Sequence, residues 1–215
     1  MKQQTIQRVL DEKIIVIVRG VERDKLIPLA EAMYDGGIRL LEITYSADKS
    51  VSDEETADRI KMLAEHFADR MYIGAGTVLT PYQVELTKKA GGRFIISPDC
   101  FEDVIKKTTE LEMVSMPGAL TPTEAQSAAR AGADFVKLFP ISDLGPAYFK
   151  AIKAPLSHIK FIAVGGVNED NIQEYLDAGV CGFGLGSNII NKKMIAENDY
   201  TGITELAKKY VAKVK

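Results

Sequence analysis

Short β-branched and apolar runs alternate with longer amphipathic stretches along the whole chain. This alternation constrains the fold more than any other feature. Eight strand-like runs occur: Ile14–Arg19, Arg39–Thr44, Met71–Ala75, Phe94–Ser97, Met113–Pro117, Asp134–Phe139, Lys160–Val164 and Gly182–Gly186. Their starts recur about every 20–30 residues, roughly one strand-plus-helix unit. Many of the runs are continuously apolar, as expected of parallel strands covered on both faces. Helix-like segments lie between them. Lys25–Tyr34 ends at Gly36-Gly37, and Asp53–Phe67 is the longest. Pro81–Ala90 follows Thr80, and Glu124–Ala131 follows Thr121-Pro122-Thr123. Threonine before proline is an N-cap with proline in the first helical turn. Gly91-Gly92, Gly132 and Gly179 sit where left-handed C-caps belong.

The polar start, Met1–Asp11, reads as a short helix and not as a signal peptide. Eight units in 215 residues predict an α/β fold, a (β/α)8 TIM barrel with a short N-terminal helix, as a single domain over residues 1–215. The competing architecture is a doubly wound open sheet. That fold usually carries a glycine-rich dinucleotide turn after its first strand, and Arg19-Gly20-Val21-Glu22 is not one.

Scarce residues narrow the chemistry. Two cysteines, Cys100 and Cys181, are too few and too far apart for a zinc knuckle or a disulfide framework, and fit a reducing cytoplasm. Two histidines, His66 and His158, argue against a histidine-rich metal site. A net charge of −3 gives no electrostatic reason to expect nucleic acid or an anionic membrane. No apolar run approaches the roughly 20 residues of a membrane span. The chemistry must therefore rest on Lys, Glu, Asp, Thr, Ser, Tyr or backbone groups.

A barrel of this kind works at the carboxyl ends of its strands. There, Lys137 lies in the apolar run Phe135-Val136-Lys137-Leu138-Phe139-Pro140. Desolvation lowers the pKa of such an amine and makes it a nucleophile, unless it is a structural lysine paired with a carboxylate. Glu42, in Leu40-Leu41-Glu42-Ile43-Thr44, is either an acid/base with a raised pKa or the partner of Lys137 or Arg19. Arg19 closes the first run and offers a two-point fork to a carboxylate or phosphate. Gly165-Gly166-Val167-Asn168 follows the seventh run, and Gly184-Leu185-Gly186-Ser187-Asn188 closes the eighth. Barrels bind phosphate at these two loops. Gly74-Ala75-Gly76-Thr77, Ser97-Pro98 and Met116-Pro117-Gly118 read as turn chemistry, with only the Thr77 hydroxyl aimed at a substrate. His66 and His158 read as peripheral.

Taken in order, Leu41-Glu42-Ile43-Thr44, Gly74-Ala75-Gly76-Thr77-Val78, Ile96-Ser97-Pro98, Met116-Pro117-Gly118, Lys137-Leu138-Phe139-Pro140 and Gly165-Gly166-Val167 resemble a known family. It is that of the bacterial class I aldolases acting on 2-keto-3-deoxy-6-phosphogluconate (KDPG) and 4-hydroxy-2-oxoglutarate (KHG). The similarity runs from about Ile14 to Asn191. The resemblance implies a Schiff base between Lys137 and pyruvate, proton transfer by Glu42, and neither metal nor cofactor. It places Thr77 and Pro98 in the pyruvate pocket and Phe139 beside the imine. It gives the sugar-acid phosphate to Gly165, Gly166, Gly186 and Ser187. It implies a cytoplasmic homotrimer whose partners are a small 2-keto acid and sugar-phosphate substrate, with no nucleic acid and no membrane.

The chain departs from the pattern at three positions. Ser46 stands where many members have an arginine for the pyruvyl carboxylate, which passes that task to Arg19, with Lys49 as competitor. Val164 replaces the usual threonine before the glycine pair. Asp99 replaces the glycine after Ser97-Pro98. The implied reaction is cleavage of KDPG to pyruvate and glyceraldehyde 3-phosphate. The alternatives are the same chemistry on 4-hydroxy-2-oxoglutarate or the galactonate analogue, a phosphate-binding isomerase or epimerase, and a non-catalytic sugar-phosphate-binding module.

Overall fold

The structure is a computed structural model that describes all 215 residues. A helix, α1 (Lys2–Glu12), precedes the first strand, β1 (Ile14–Val18). Then follow α2 (Arg23–Asp35), β2 (Leu40–Thr44), α3 (Asp53–Phe67), β3 (Tyr72–Gly76), α4 (Pro81–Lys89) and β4 (Phe94–Ile96). The second half holds α5 (Glu102–Glu110), β5 (Val114–Met116), β6 (Gly118–Ala119), α6 (Pro122–Arg130), β7 (Val136–Leu138) and α7 (Gly145–Lys153). It ends with β8 (Phe161–Val164), α8 (Ile172–Asp177), β9 (Gly182–Leu185), α9 (Lys192–Ala196) and α10 (Tyr200–Val214).

Every strand pairing is parallel, and the ladder runs β5-β4-β3-β2-β1-β9-β8-β7-β6. Its two ends are β5, inside the expected run Met113–Pro117, and β6, which lies just beyond that run; Pro117 between them has no N–H to give a ladder. Phe135 N–H donates to Ser115 O at 3.2 Å and Lys137 N–H to Pro117 O at 2.8 Å, so β7 reaches across the break and the sheet closes. The open doubly wound sheet is thereby excluded. The first strand also stops one residue early, leaving Arg19 in the loop. Both threonine caps appear as drawn from sequence: Thr80 with Gln83, and Thr121 with Glu124, form reciprocal capping boxes.

Burial on two faces conceals a strict alternation. Val16, Val18, Leu41, Ile43, Val136 and Leu138 face the helices in one apolar cluster. Ile15, Leu40, Phe94, Val114, Phe135 and Ile162 fill the barrel interior in another, and Val9 of α1 plugs its amino-terminal mouth. Period two along β2 and β7 sends Glu42 inward with Leu40, and Lys137 inward with Phe135. The polar groups sit one step above the apolar layer, toward the carboxyl end.

Gly118 is where β5–β6 passes the loop after β4. A Cβ there would lie 2.2 Å from Pro98 O and 3.0 Å from Ser97 O, both backbone atoms that cannot swing aside. Gly118→Ala should therefore destabilise the protein by about 1–3 kcal/mol, the usual cost of overpacking. Urea unfolding checks this; a wild-type midpoint would refute the packing argument.

Candidate active site

At the carboxyl ends of the strands lies a cavity of about 250 Å³. Arg19, Glu42, Thr77, Pro98, Lys137, Phe139, Gly165, Gly166, Gly186 and Ser187 all line it, so the structure brings together every residue singled out for the site. Ile17, Val164, Val167, Gly184 and Asn188 complete the wall.

Lys137 is 7% exposed and Glu42 2%. Burial pulls the Lys137 pKa below the ordinary lysine value, opposed by the charge of Glu42 and reinforced by Arg19. Burial raises Glu42 to about 7, opposed by Lys137 and Arg19. The Lys137 ammonium position lies 4.4 Å from the Phe139 ring centre. Glu42 forms no ion pair with either cation, and its Oε2 has no hydrogen-bond partner. The structural-pair alternatives for these residues are therefore not what the geometry contains. Near neutral pH desolvation drives the amine toward its free-base form and the carboxyl toward half-protonation.

One contributor escaped the sequence reading. Gly76 looked like turn chemistry, yet a Cβ there would fall 1.4 Å from Glu42 Oε1. Its missing side chain is the space the carboxyl occupies. No sequence signal marks it; the pairing of β2 with β3 sets Glu42 beside Gly74 and Thr44 beside Gly76. The next residue, Thr77, holds φ at 54°, a strained region for a β-branched side chain. Its Oγ1 accepts from Arg19 Nη2 at 2.8 Å. Arg19 is thus directed across the cavity mouth by Thr77.

The three departures separate cleanly. Ser46 Oγ bonds Asp48 and Ser50 and lines a different cavity, between the loops after β1 and β2. Asp99 is exposed and absent from the cavity wall. Val164 lines it. Lys49, the competitor of Arg19, is exposed and paired with Asp53 at 2.7 Å, away from the cavity. His66 lies in α3 and pairs with Glu31, and His158 is also remote from the site.

The opposite wall is built from backbone. Gly165 and Gly166 hold φ at 94° and 74°. The N–H groups of Gly165, Gly166, Val167, Gly186, Ser187 and Asn188 donate to no acceptor in the chain. These N–H groups, on two loops that line one cavity, are donors left available to a ligand. Arg19, Lys192 and Lys193, with no carboxylate among them, line a neighbouring cavity that shares Gly186 and Ser187 with this one.

The family model described as "KDPG and KHG aldolase" matches residues 6–206. A 2-dehydro-3-deoxy-6-phosphogalactonate aldolase of Escherichia coli is 37% identical, over 82% of this chain and 83% of its own. A Rhizobium meliloti protein named a probable 2-dehydro-3-deoxy-6-phosphogalactonate aldolase is 39% identical, over 87% and 86%. The crystal structure of a Legionella pneumophila KDPG aldolase, with pyruvate captured as a covalent carbinolamine, superposes with a TM-score of 0.84. It is 31% identical, and the match covers 94% of this chain and 96% of that one.

Glu42 makes a stability prediction. The folded chain keeps its proton to about pH 7, whereas an ordinary glutamate releases it near 4.5. The folded state then binds more protons through that window, so stability falls as pH rises, by about 3 kcal/mol in all. Glu42→Gln removes the penalty. The variant should be more stable than wild type at pH 8 and nearly equal at pH 4, by denaturant titration. A gain of the same size at both pH values would show that ionisation is not the cause.

Proposed function

The chain belongs to the KDPG and KHG aldolase family of carbon–carbon lyases, and from that premise we propose a class I mechanism centred on Lys137. The observation that carries it is a buried lysine with a lowered pKa sharing one cavity with a buried glutamate near pKa 7. Free-base Lys137 attacks C2 of a 2-keto acid, and the carbinolamine loses water to give an iminium. Glu42 as carboxylate, directly or through a water, takes the C4 hydroxyl proton. The C3–C4 electron pair moves into the iminium, leaving an enamine on Lys137 and releasing an aldehyde. Protonation at C3 and hydrolysis return pyruvate and the amine. The iminium is the electron sink, so the steps call on no metal or cofactor. The covalent pyruvate of the Legionella relative supports this order.

Arg19, braced by Thr77, holds the pyruvyl carboxylate in this reading, Pro98 and Phe139 flank the pyruvyl moiety, and the glycine loops take the phosphate. The substrate is a 2-keto-3-deoxy-6-phosphoaldonic acid. Sequence alone puts the gluconate compound first. The names of the relatives at 37% and 39% identity favour its C4 epimer, the galactonate compound. Both epimers yield pyruvate and glyceraldehyde 3-phosphate. The same reading takes residues 1–215 as one barrel unit that assembles as a cytoplasmic homotrimer, supported by the family resemblance.

Borohydride with pyruvate should fix a reduced adduct on Lys137, identified by peptide mass. Lys137→Arg should abolish both adduct and turnover while the circular dichroism is retained. An adduct on another lysine would overturn the mechanism. Kinetics with the two epimeric acids decides the substrate.

Arg19→Ala removes a charge-assisted two-point contact, worth roughly 2–4 kcal/mol. It should lower kcat/KM at least tenfold and weaken trapping by dilute pyruvate. Wild-type kinetics in this variant, with Lys49→Ala crippled, would move the carboxylate site to the loop after β2.

A further inference from the structure

A concavity of free N–H groups binds an anion well only if it is held open before the anion arrives. Loops rich in glycine do not hold themselves open, because glycine loses the most conformational freedom on ordering. The structure contains the devices that fix them, and they are side-chain amides. Asn171 Nδ2 donates to Gly166 O at 2.9 Å, while Asn171 Oδ1 accepts from Asn168 N–H at 2.8 Å. Asn168 Oδ1 in turn accepts from the N–H groups of Asp170 and Asn171 at 2.9 and 3.2 Å. The second tie crosses between loops: Asn188 Nδ2, after β9, donates to Val167 O, after β8, at 2.6 Å.

Two consequences follow from peptide geometry. A trans peptide points its C=O and N–H in opposite directions. Pinning Gly166 O to Asn171 therefore turns the Val167 N–H to the other side of the chain, and Val167 is part of the cavity wall. The carbonyls of Gly166 and Val167, which would repel an anion if they faced it, are both occupied by amide donors. A Cβ on Gly166 would meet Ser142 Cβ at 2.5 Å, so the turn also packs hard against the loop after β7.

We propose that Asn171 and Asn188 are positioning residues that lock the two glycine loops into one preformed site for the phosphate monoester of the substrate. Asn171 sets the direction of the N–H groups in the loop after β8. Asn188 sets the distance between that loop and the one after β9. The phosphate is the ligand, and neither amide need touch the reacting carbons. This inference rests on the phosphate reading given above and adds to it the residues that make the site rigid.

The test compares Asn171→Ala and Asn188→Ala with the wild-type enzyme on a phosphorylated 2-keto-3-deoxy acid and its unphosphorylated counterpart. The readout is the ratio of the two kcat/KM values. It should fall at least tenfold in each variant, through KM of the phosphorylated acid, and inorganic phosphate should become a correspondingly weaker competitive inhibitor. If Asn171→Ala does not fold, Asn188→Ala alone carries the test through the same ratio, and the same fall is expected. A ratio unchanged in folded variants, or equal losses on both acids, would overturn the proposal and leave the phosphate reading intact. A wild-type enzyme that turns over both acids with equal efficiency would overturn the phosphate reading and this proposal with it. Failure of pyruvate to be trapped on Lys137 is a separate result that strikes the Schiff-base mechanism alone.

Discussion

Everything in this molecule depends on keeping two ionisable groups inside an apolar barrel without letting them neutralise each other by direct contact. A buried charge is costly unless paired, and a buried pair in contact would be a structural brace and a poor catalyst. Here Lys137 and Glu42 are both buried and not bonded to each other. The cost is met by shifting the proton equilibria of both toward neutral forms. That shift is also what an amine nucleophile and a proton shuttle require near neutral pH. The unpartnered Glu42 Oε2 is the visible sign of this arrangement, since buried polar atoms without partners are uncommon outside functional sites.

The surrounding sequence is arranged to permit it. Alternation along the strands puts the two groups in the barrel interior, and the apolar layer beneath them, closed by Val9 of α1, keeps that interior dry. Gly76 supplies the volume for the carboxyl, and Phe139 lies against the amine. Strands carry Glu42 and Lys137, while loops carry Arg19 and the glycines of the opposite wall. The chemistry end is therefore rigid by packing. The opposite wall, made of glycine loops with few side chains to pack, is tied by asparagine amides.

The fold was legible because its signals are local and repeated. Strand runs, Thr-Pro caps and terminal glycines each specify their own segment, and eight repetitions leave few architectures. The short β6 was not legible, because Met116-Pro117-Gly118 has the composition of a turn and the strand signal ends there. The site was legible where a residue type is anomalous for its surroundings: Lys137 and Glu42 are charges in apolar runs. It was illegible where the residue is ordinary for its surroundings. Gly76 ends a strand, as glycines often do, and only the register between β2 and β3 shows what its lack of a side chain is for. Asn171 and Asn188 are polar residues in polar loop segments and stand out in no way from sequence. Their amide contacts to Gly166 and Val167 bridge 5 and 21 residues and need the folded chain to be seen.

The departures from the family pattern acquire different weights once their positions are known. Ser46 and Asp99 are the most conspicuous in sequence, since one loses a cation and the other gains a carboxylate. Neither lines the cavity. Val164 is the least conspicuous, a hydroxyl exchanged for a methyl at nearly constant volume. It lies at the carboxyl end of β8, opposite Gly184 and next to the glycine pair, between the ionisable groups and the anion-binding loops. In the reaction proposed above, C4, whose hydroxyl becomes the aldehyde carbonyl, would lie in that interval, between the imine carbon and the phosphate. Of the three departures, Val164 alone can touch it, and it presents an apolar surface where a hydroxyl would accept or donate a hydrogen bond. Loss of a hydrogen-bonding wall discriminates against a substrate that needs it far more strongly than a change of volume does. In the proposed reaction, Val164 is the one departure of the three placed to bear on substrate choice.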